Sequence, residues 1–255
     1  MTAFVLTDND GQIKDRDMLD LYDGYLELCL PVKMFKESDL HCNQSLISKE
    51  DIFGGHVDIC RIIWRNLKVA EPFVSCYPPL LQSFFERTIR QTTLESFYKT
   101  LEENKDFGTE YFVKPVKNKV FTGYTCITPQ DLDKLQCSKK TEVYVSSYVK
   151  FGAEFRAYIY KDKIVDAFRY WGDDWSAVFD RSIVEAMVLA LAGTMPVFYS
   201  LDFGTSEGKT LLVEVNDGYA LGNYGLAPKP YAEMTIARWK EILCLTTSNP
   251  IVVSS

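Results

Sequence analysis

The chain has 255 residues, 47% hydrophobic and 25% charged, the profile of an ordinary soluble globular protein with a sizeable core. Lys and Arg number 28 against 35 Asp and Glu, a net charge of −7, which argues against broad nucleic-acid binding because that needs a basic surface. No apolar run approaches the roughly 18 residues of a membrane span, and the start, "MTAFVLTDNDGQIKD", lacks the features of a signal peptide.

Residues 3–7, "AFVLT", predict a short strand closed by the turn-formers "DNDG". Residues 14–30 mix apolar and charged positions at helical spacing. "ESDLHCNQSLISKEDIFGG" reads as loop with short elements, and "HVDICRIIWRNL" as an amphipathic helix after the turn at Gly54 and Gly55. "YPPLLQSFFERTIRQTTLESFYKTLEEN" opens on two prolines and repeats apolar positions at three and four, so it predicts one helix, or two with a break near "RQTT". From residue 110 the texture turns to strands. "EYFVKPV" is one, and the basic loop "KNKVFTGY" leads to another. "TPQDLDKLQ" predicts a short helix with Thr128 as N-cap and Pro129 first. "TEVYVSSYV", "AEFRAYIY" and "KIVDAFRYWG" predict strands, the last two joined as a hairpin at "KDK". "RSIVEAMVLALAG" predicts a helix closed by Gly193, and "MPVFYSLDFG" and "LLVEVND" a second hairpin across "TSEGKT". The fold class is α+β, with a helix-rich region 1–108 ahead of a β-rich region 109–255.

The seven cysteines form no C-x-x-C and are odd in number, which predicts reduced, mostly buried thiols in a cytoplasmic protein. Only His41 and His56 exist, so a His-rich zinc site is excluded, and His56 reads as structural or loop-capping.

Strand alternation across "LLVEVN" sends Leu211, Val213 and Val215 one way and Leu212, Glu214 and Asn216 the other. The preceding strand puts Phe198, Ser200 and Asp202 on one face, and the short turn makes the strands antiparallel neighbours. Asp202, Glu214 and Asn216 can then converge. Two carboxylates 4 Å apart repel by about 4 kcal/mol at an effective dielectric of 20; a divalent cation removes that cost, and all-oxygen ligation favours Mg²⁺ or Mn²⁺. The plain alternative is a solvent-facing strand side whose acids meet nothing. Lys114 in "FVKP" either snorkels outward or reaches an anion, and Lys117, Lys119, Thr122 and Gly123 make a loop suited to phosphate. Glu154 and Arg156 share one strand face, with Arg169 on the partner strand. Arginines in such apolar strands need anionic partners, which a polyphosphate and its metal would balance.

The ordered set "FVKP", "VSSYVKFGAEFRAYI", "DAFRYW", "LDFG" and "LLVEVNDG" resembles the ATP-grasp superfamily over residues 85–240 or so. The two arginines suggest its branch named for two arginines and a lysine. The resemblance implies two β-containing lobes clasping a nucleotide behind a helix-rich N-terminal region, which would be a substrate domain. It implies Asp202, Glu214 and Asn216 as metal ligands. It assigns Lys114 to nucleotide phosphates, with Lys119 beside it, the backbone of Tyr148 and Val149 to adenine, and Glu154 to the ribose. Arg156 and Arg169 would face the γ-phosphate and the acyl-phosphate, making them, with Lys114, the catalytic cations. The glycine- and serine-rich phosphate grip common in the family is missing at 117–123. Arg87 and Arg90 are candidates for the usual upstream basic residue, against a plain reading as helix-surface charges. In "LGNYGL", Asn223 and Tyr224 are candidate substrate contacts, and Trp171 and Trp175 either line a pocket or pack structurally.

The implied activity is an ATP-dependent carboxylate–amine ligase that forms an amide through an acyl-phosphate. Its cofactors would be ATP and Mg²⁺ or Mn²⁺, and its partners a carboxylate and an amine from an amino acid, peptide or protein terminus. A nucleotide-binding sensor or interaction module without turnover is the alternative. A lysine-adenylate enzyme is a third, although "FVKPVKN" lacks the K-x-D-G-like context.

Overall fold

The computed structural model describes residues 1–103, 108–117 and 120–248. Three layered units follow one another, each around its own core.

The first unit pairs β1 (Ala3–Thr7) in parallel with β2 (Val32–Lys36) through α1 (Arg16–Glu27), with α2 (Glu37–Cys42) and α3 (Val57–Leu67) after it. Asp15 caps α1 by accepting from the Met18 amide. His56 stands at the N-cap position of α3, 3.5 Å from Asp15, with no side-chain cap bond. The C-terminal helix α7 (Pro228–Ser248) closes this core: Tyr231, Met234, Trp239 and Ile242 pack with Phe53, Trp64 and Tyr25. Neither β2 nor α7 is among the sequence expectations. The signal for α7 lies in "PKPYAEMTIARW", where prolines open a run with apolar positions three and four apart.

A four-stranded sheet in the order β3-β6-β4-β5 makes the second unit, from β3 (Ile89–Thr93), β4 (Tyr111–Pro115), β5 (Tyr124–Cys126) and β6 (Glu142–Ser147). α4 (Leu94–Glu103) and α5 (Pro129–Asp133) cover it, burying Leu94, Phe97 and Leu101 against Val113, Val143 and Val145. Of the helix, or two helices broken near "RQTT", expected at 77–104, the part after the break forms as α4 and the part before it is corrected. Pro79–Phe84 is a 3₁₀ turn and "IRQTT" is β3, paired antiparallel with β6 from Ile89↔Ser146 to Thr93↔Glu142. β-branched residues fit that pleated edge better than a helix interior. Residue 108 falls within this unit, since β3 before it and β4–β6 after it form one sheet and α4 before it packs on that sheet.

The third unit is an antiparallel sheet in the order β10-β9-β7-β8: β7 (Ala153–Tyr160), β8 (Lys163–Trp171), β9 (Phe198–Ser206) and β10 (Lys209–Asp217). Both of its hairpins turn on two residues with positive φ, Lys161–Asp162 and Glu207–Gly208. α6 (Arg181–Leu191) covers one face, where Val184, Met187 and Leu191 meet Tyr199, Leu201, Phe203, Leu212 and Val215. Gly193 follows α6 with φ +72°, as its C-terminal stop requires. Cys60, Cys76 and Cys126 are buried but Cys29, Cys42 and Cys244 are exposed, so the expectation of mostly buried thiols is corrected. Among the described residues no helix is long and apolar enough to cross a membrane.

Candidate active site

The second and third units both line a cleft of about 460 Å³, within the range of small-ligand sites. Ser147, Tyr148 and Val149, on the segment that joins β6 to β7, form part of its wall. The Tyr148 amide is already engaged, donating to the Glu110 carbonyl at 3.0 Å.

Arg156 on β7 stands directly opposite Asp202 on β9, and Asp202 directly opposite Glu214 on β10. The polar row therefore runs across three adjacent strands. Arg156 grips Asp202 with both ends of its fork, Nε to Oδ1 at 2.8 Å and Nη2 to Oδ2 at 2.7 Å. Lys114, from β4 of the other sheet, reaches across to Glu214 Oε2. Asn216 Nδ2 bridges the two acids, donating to Asp202 Oδ2 at 3.1 Å and Glu214 Oε1 at 3.0 Å. Asp202 is 2% exposed and Arg156 10%, so neither ion could sit there alone.

Burial works against every charge in this row, and partners decide which way each one shifts. Burial would lower Arg156 and Lys114, but Asp202 and Glu214 outweigh it and hold both cations above their ordinary values. Burial would raise Glu214, but the Lys114 ammonium wins and holds it below the usual carboxylate range. Burial pushes the Asp202 carboxyl up, and Arg156 on both oxygens opposes this. The acids are thus balanced by fixed cations, two against two.

Asp202, Glu214 and Asn216 gather at one point of the row, where Asn216 turns its amide nitrogen to both acids. With that amide turned over, the three would offer carboxylate and amide oxygens, hard donors of the kind Mg²⁺ or Mn²⁺ takes. Among the described residues no group of three or more His, Cys, Asp and Glu side chains is placed to hold a metal.

Around this row the structure sorts the other candidates. Glu154 lines the cleft and accepts from Tyr170 OH at 2.6 Å, and burial raises its carboxyl. Trp171 also lines the cleft. Arg169 is not brought to the row. It pairs with Phe155, which packs in the core on the opposite face, donates to the Gly172 carbonyl at 2.6 Å and lies 4.5 Å from the exposed Trp175 ring. Tyr170, one residue on, faces the row instead. Its ring stacks on Tyr224 at 5.0 Å, and Arg156 lies against both rings. Asn223 ties its loop to α1: its side-chain nitrogen donates to the Leu226 carbonyl and to Asp20, and its backbone amide donates to Asp17. Arg87 lines the cleft, whereas Arg90 lies over Phe97. Lys119 lies outside the described residues. Sequence reasoning passed over Tyr158 and Tyr170, whose hydroxyls hold Gly222 and Glu154, because aromatic residues in strands read as core.

The sequence model of an ATP-grasp domain, family 2 of the clade named for two arginines and a lysine, matches residues 84–234, more than half of the chain. The chain belongs to this ATP-grasp family. Membership places it among ATP-dependent ligases that join carbon to nitrogen. Solved structures agree on the fold. D-cycloserine synthetase DcsG is similar at a TM-score of 0.55 and 12% identity, covering 96% of this chain and 99% of that one. The RimK-domain ATP-grasp protein from Sphaerobacter thermophilus DSM 20745 is similar at 0.55 and 10%, covering 96% and 100%. The macrocyclase MdnC from Microcystis aeruginosa MRC, bound to its precursor peptide MdnA, is similar at 0.55 and 10%, covering 92% and 99%. No curated protein sequence matches.

Proposed function

We propose that this ATP-grasp protein is a carboxylate–amine ligase that activates its carboxylate substrate as an acyl-phosphate. The observation that carries the reading is the charge-balanced row Arg156–Asp202–Asn216–Glu214–Lys114 beside a nucleotide-sized cleft. Adenine would lie against the backbone of Tyr148 and Val149, and the ribose hydroxyls at Glu154. A cation held by Asp202, Glu214 and Asn216 would neutralise phosphate oxygens. Lys114 and Arg156 already point their charges along the row and would meet the transferring group, where fixed cations stabilise the spread of negative charge. A substrate carboxylate oxygen attacks the γ-phosphorus, the bond to the ADP oxygen breaks, and an acyl-phosphate forms. An amine then attacks the acyl carbon, phosphate leaves, and the amine proton is released to give the amide. The peptide held by MdnC and the name of DcsG favour an amino acid or peptide as one substrate.

Lys114 is a poor candidate for a covalent adenylate. A nucleophilic amine must lose its proton, and Glu214 holds this one protonated. The test is phosphate release from ATP and Mg²⁺ across a panel of amino acids and peptides, with amide product followed by mass. Release coupled to product supports the reading. Nucleotide binding without release on the whole panel would mark a binding module, and AMP bound covalently to Lys114 would mark an adenylating enzyme.

A further inference from the structure

The turn between β9 and β10 starts their ladder at Ser206↔Lys209 and carries it regularly to Phe203↔Leu212. Continued without a break, that register would place Val213 opposite Asp202. Glu214 would then turn to the opposite face, because one residue of slip exchanges the two faces of a strand. The ladder instead skips Val213, and Glu214 stands opposite Asp202. Leu212 and Val215, three apart, consequently share the buried core beneath the sheet, and Glu214 and Asn216 share the polar face above it. A single β-bulge decides that the acids meet.

β10 is an edge strand, so nothing in the ladder holds this bulge from outside. A regular strand sends successive carbonyls to opposite edges, and a bulge breaks that alternation. Here the Leu212 and Val213 carbonyls are presented together to one side chain. Arg87 takes both, with Nη1 on Leu212 at 2.7 Å and Nη2 on Val213 at 2.9 Å, and ties them to its own chain through the Phe85 carbonyl at 3.2 Å. The planar fork suits two adjacent acceptors in a way an ammonium does not. One residue beyond Glu214, the Val215 amide donates to the Cys76 carbonyl, so the outer edge is pinned on both sides of the acid.

We propose that Arg87 is a positioning residue that locks the β10 bulge and thereby aims Glu214 and Asn216 at Asp202, its guanidinium being spent on backbone rather than on nucleotide phosphate. The proposal rests on the metal and nucleotide site described above, not on which substrates are joined.

Arg87→Lys and Arg87→Ala test it through binding and hydrogen exchange, so an absence of ligase turnover leaves the proposal tested. ADP affinity is measured by calorimetry with Mg²⁺ and again with the cation chelated, and amide exchange is followed over residues 211–217. In both variants the expected result is unchanged ADP affinity without Mg²⁺, about a tenfold higher Mg²⁺ requirement, as for other outer-sphere supports of a metal site, and faster exchange across 212–215. A fall in metal-free ADP affinity with an unchanged Mg²⁺ requirement would show a direct phosphate contact and overturn the proposal. Unchanged exchange and unchanged Mg²⁺ requirement would overturn it too. So would loss of the folded state in Arg87→Lys, which would make Arg87 a residue of the fold rather than of the site.

Discussion

The two sheets that line the cleft contribute unequally. The β7–β10 sheet supplies Glu154, Arg156, Asp202, Glu214 and Asn216 from one face, on strands whose other face is buried under α6. The β3–β6 sheet supplies one charge, Lys114, and otherwise uncharged wall, Phe112 and Pro115 beside Thr125, Ser146 and Ser147. One sheet is a fixed electrostatic template, set by backbone register. The other holds its single cation on a long side chain that reaches the template only as an ion pair. Charges bonded to one another sit on one continuous ladder, where geometry is most rigid, while the cation that the proposed function brings to phosphate comes from across the cleft.

Asp202→Asn attacks the template itself and should have the largest effect. It leaves Arg156 buried without its counter-charge, so unfolding free energy should fall by about 3 kcal/mol, and turnover about a hundredfold or more. Denaturant unfolding and phosphate release measure the two; intact turnover would remove Asp202 from the chemistry.

Lys114→Met attacks the bridge and should change the pH dependence of stability. In the native protein Lys114 holds Glu214 below its ordinary 4.5, so the stabilisation is complete above that pH and fades as pH falls through the lower folded value. In the variant, burial is the largest influence left on Glu214, opposed only by the Asn216 hydrogen bond and Arg156, so the expected folded value moves above 4.5 and stability declines as pH rises past that point. Unfolding measurements should show this group's contribution flat above about pH 4.5 and lost below it in the native protein, but lost above about pH 4.5 in the variant. Parallel curves would mean that the ion pair carries no weight.

A smaller effect is expected at the linker between the sheets. Val149→Pro should weaken ADP binding about tenfold, the worth of one backbone hydrogen bond, while Val149→Ala binds normally in the same titration. The smallest effect is expected at Arg169, on the template's far face. Arg169→Gln should leave turnover within about twofold, as for other surface substitutions. A loss as large as that of Asp202→Asn would show that this face also meets substrate.

Much of the site was legible in the sequence because it is carried by short ordered motifs. "FVKP", "AEFR", "LDFG" and "VEVN" name Lys114, Glu154, Arg156, Asp202, Glu214 and Asn216; Lys114, Glu154 and Glu214 line the cleft, and Asp202, Arg156 and Asn216 continue the bonded row from Glu214. Charge and the family resemblance offered Arg169 to the site, whereas the structure sets it opposite Phe155 beside a ladder irregularity, with Tyr170 facing the row. Alternation placed Leu212 with Glu214, where the structure separates them. At 77–104, helical spacing concealed β3, whose pairing partner lies some fifty residues away on β6.

The sequence by itself determined the family, the α+β class and the side chains of the charged row, because residue type and order survive whatever the backbone does locally. Only the tertiary structure decided which carboxylate pairs with which cation and that Asp202 and Glu214 share a face. That second outcome depends on one unpaired residue, Val213, held open by an arginine about 125 positions earlier in the chain. No period-two reading of a strand contains such a contact.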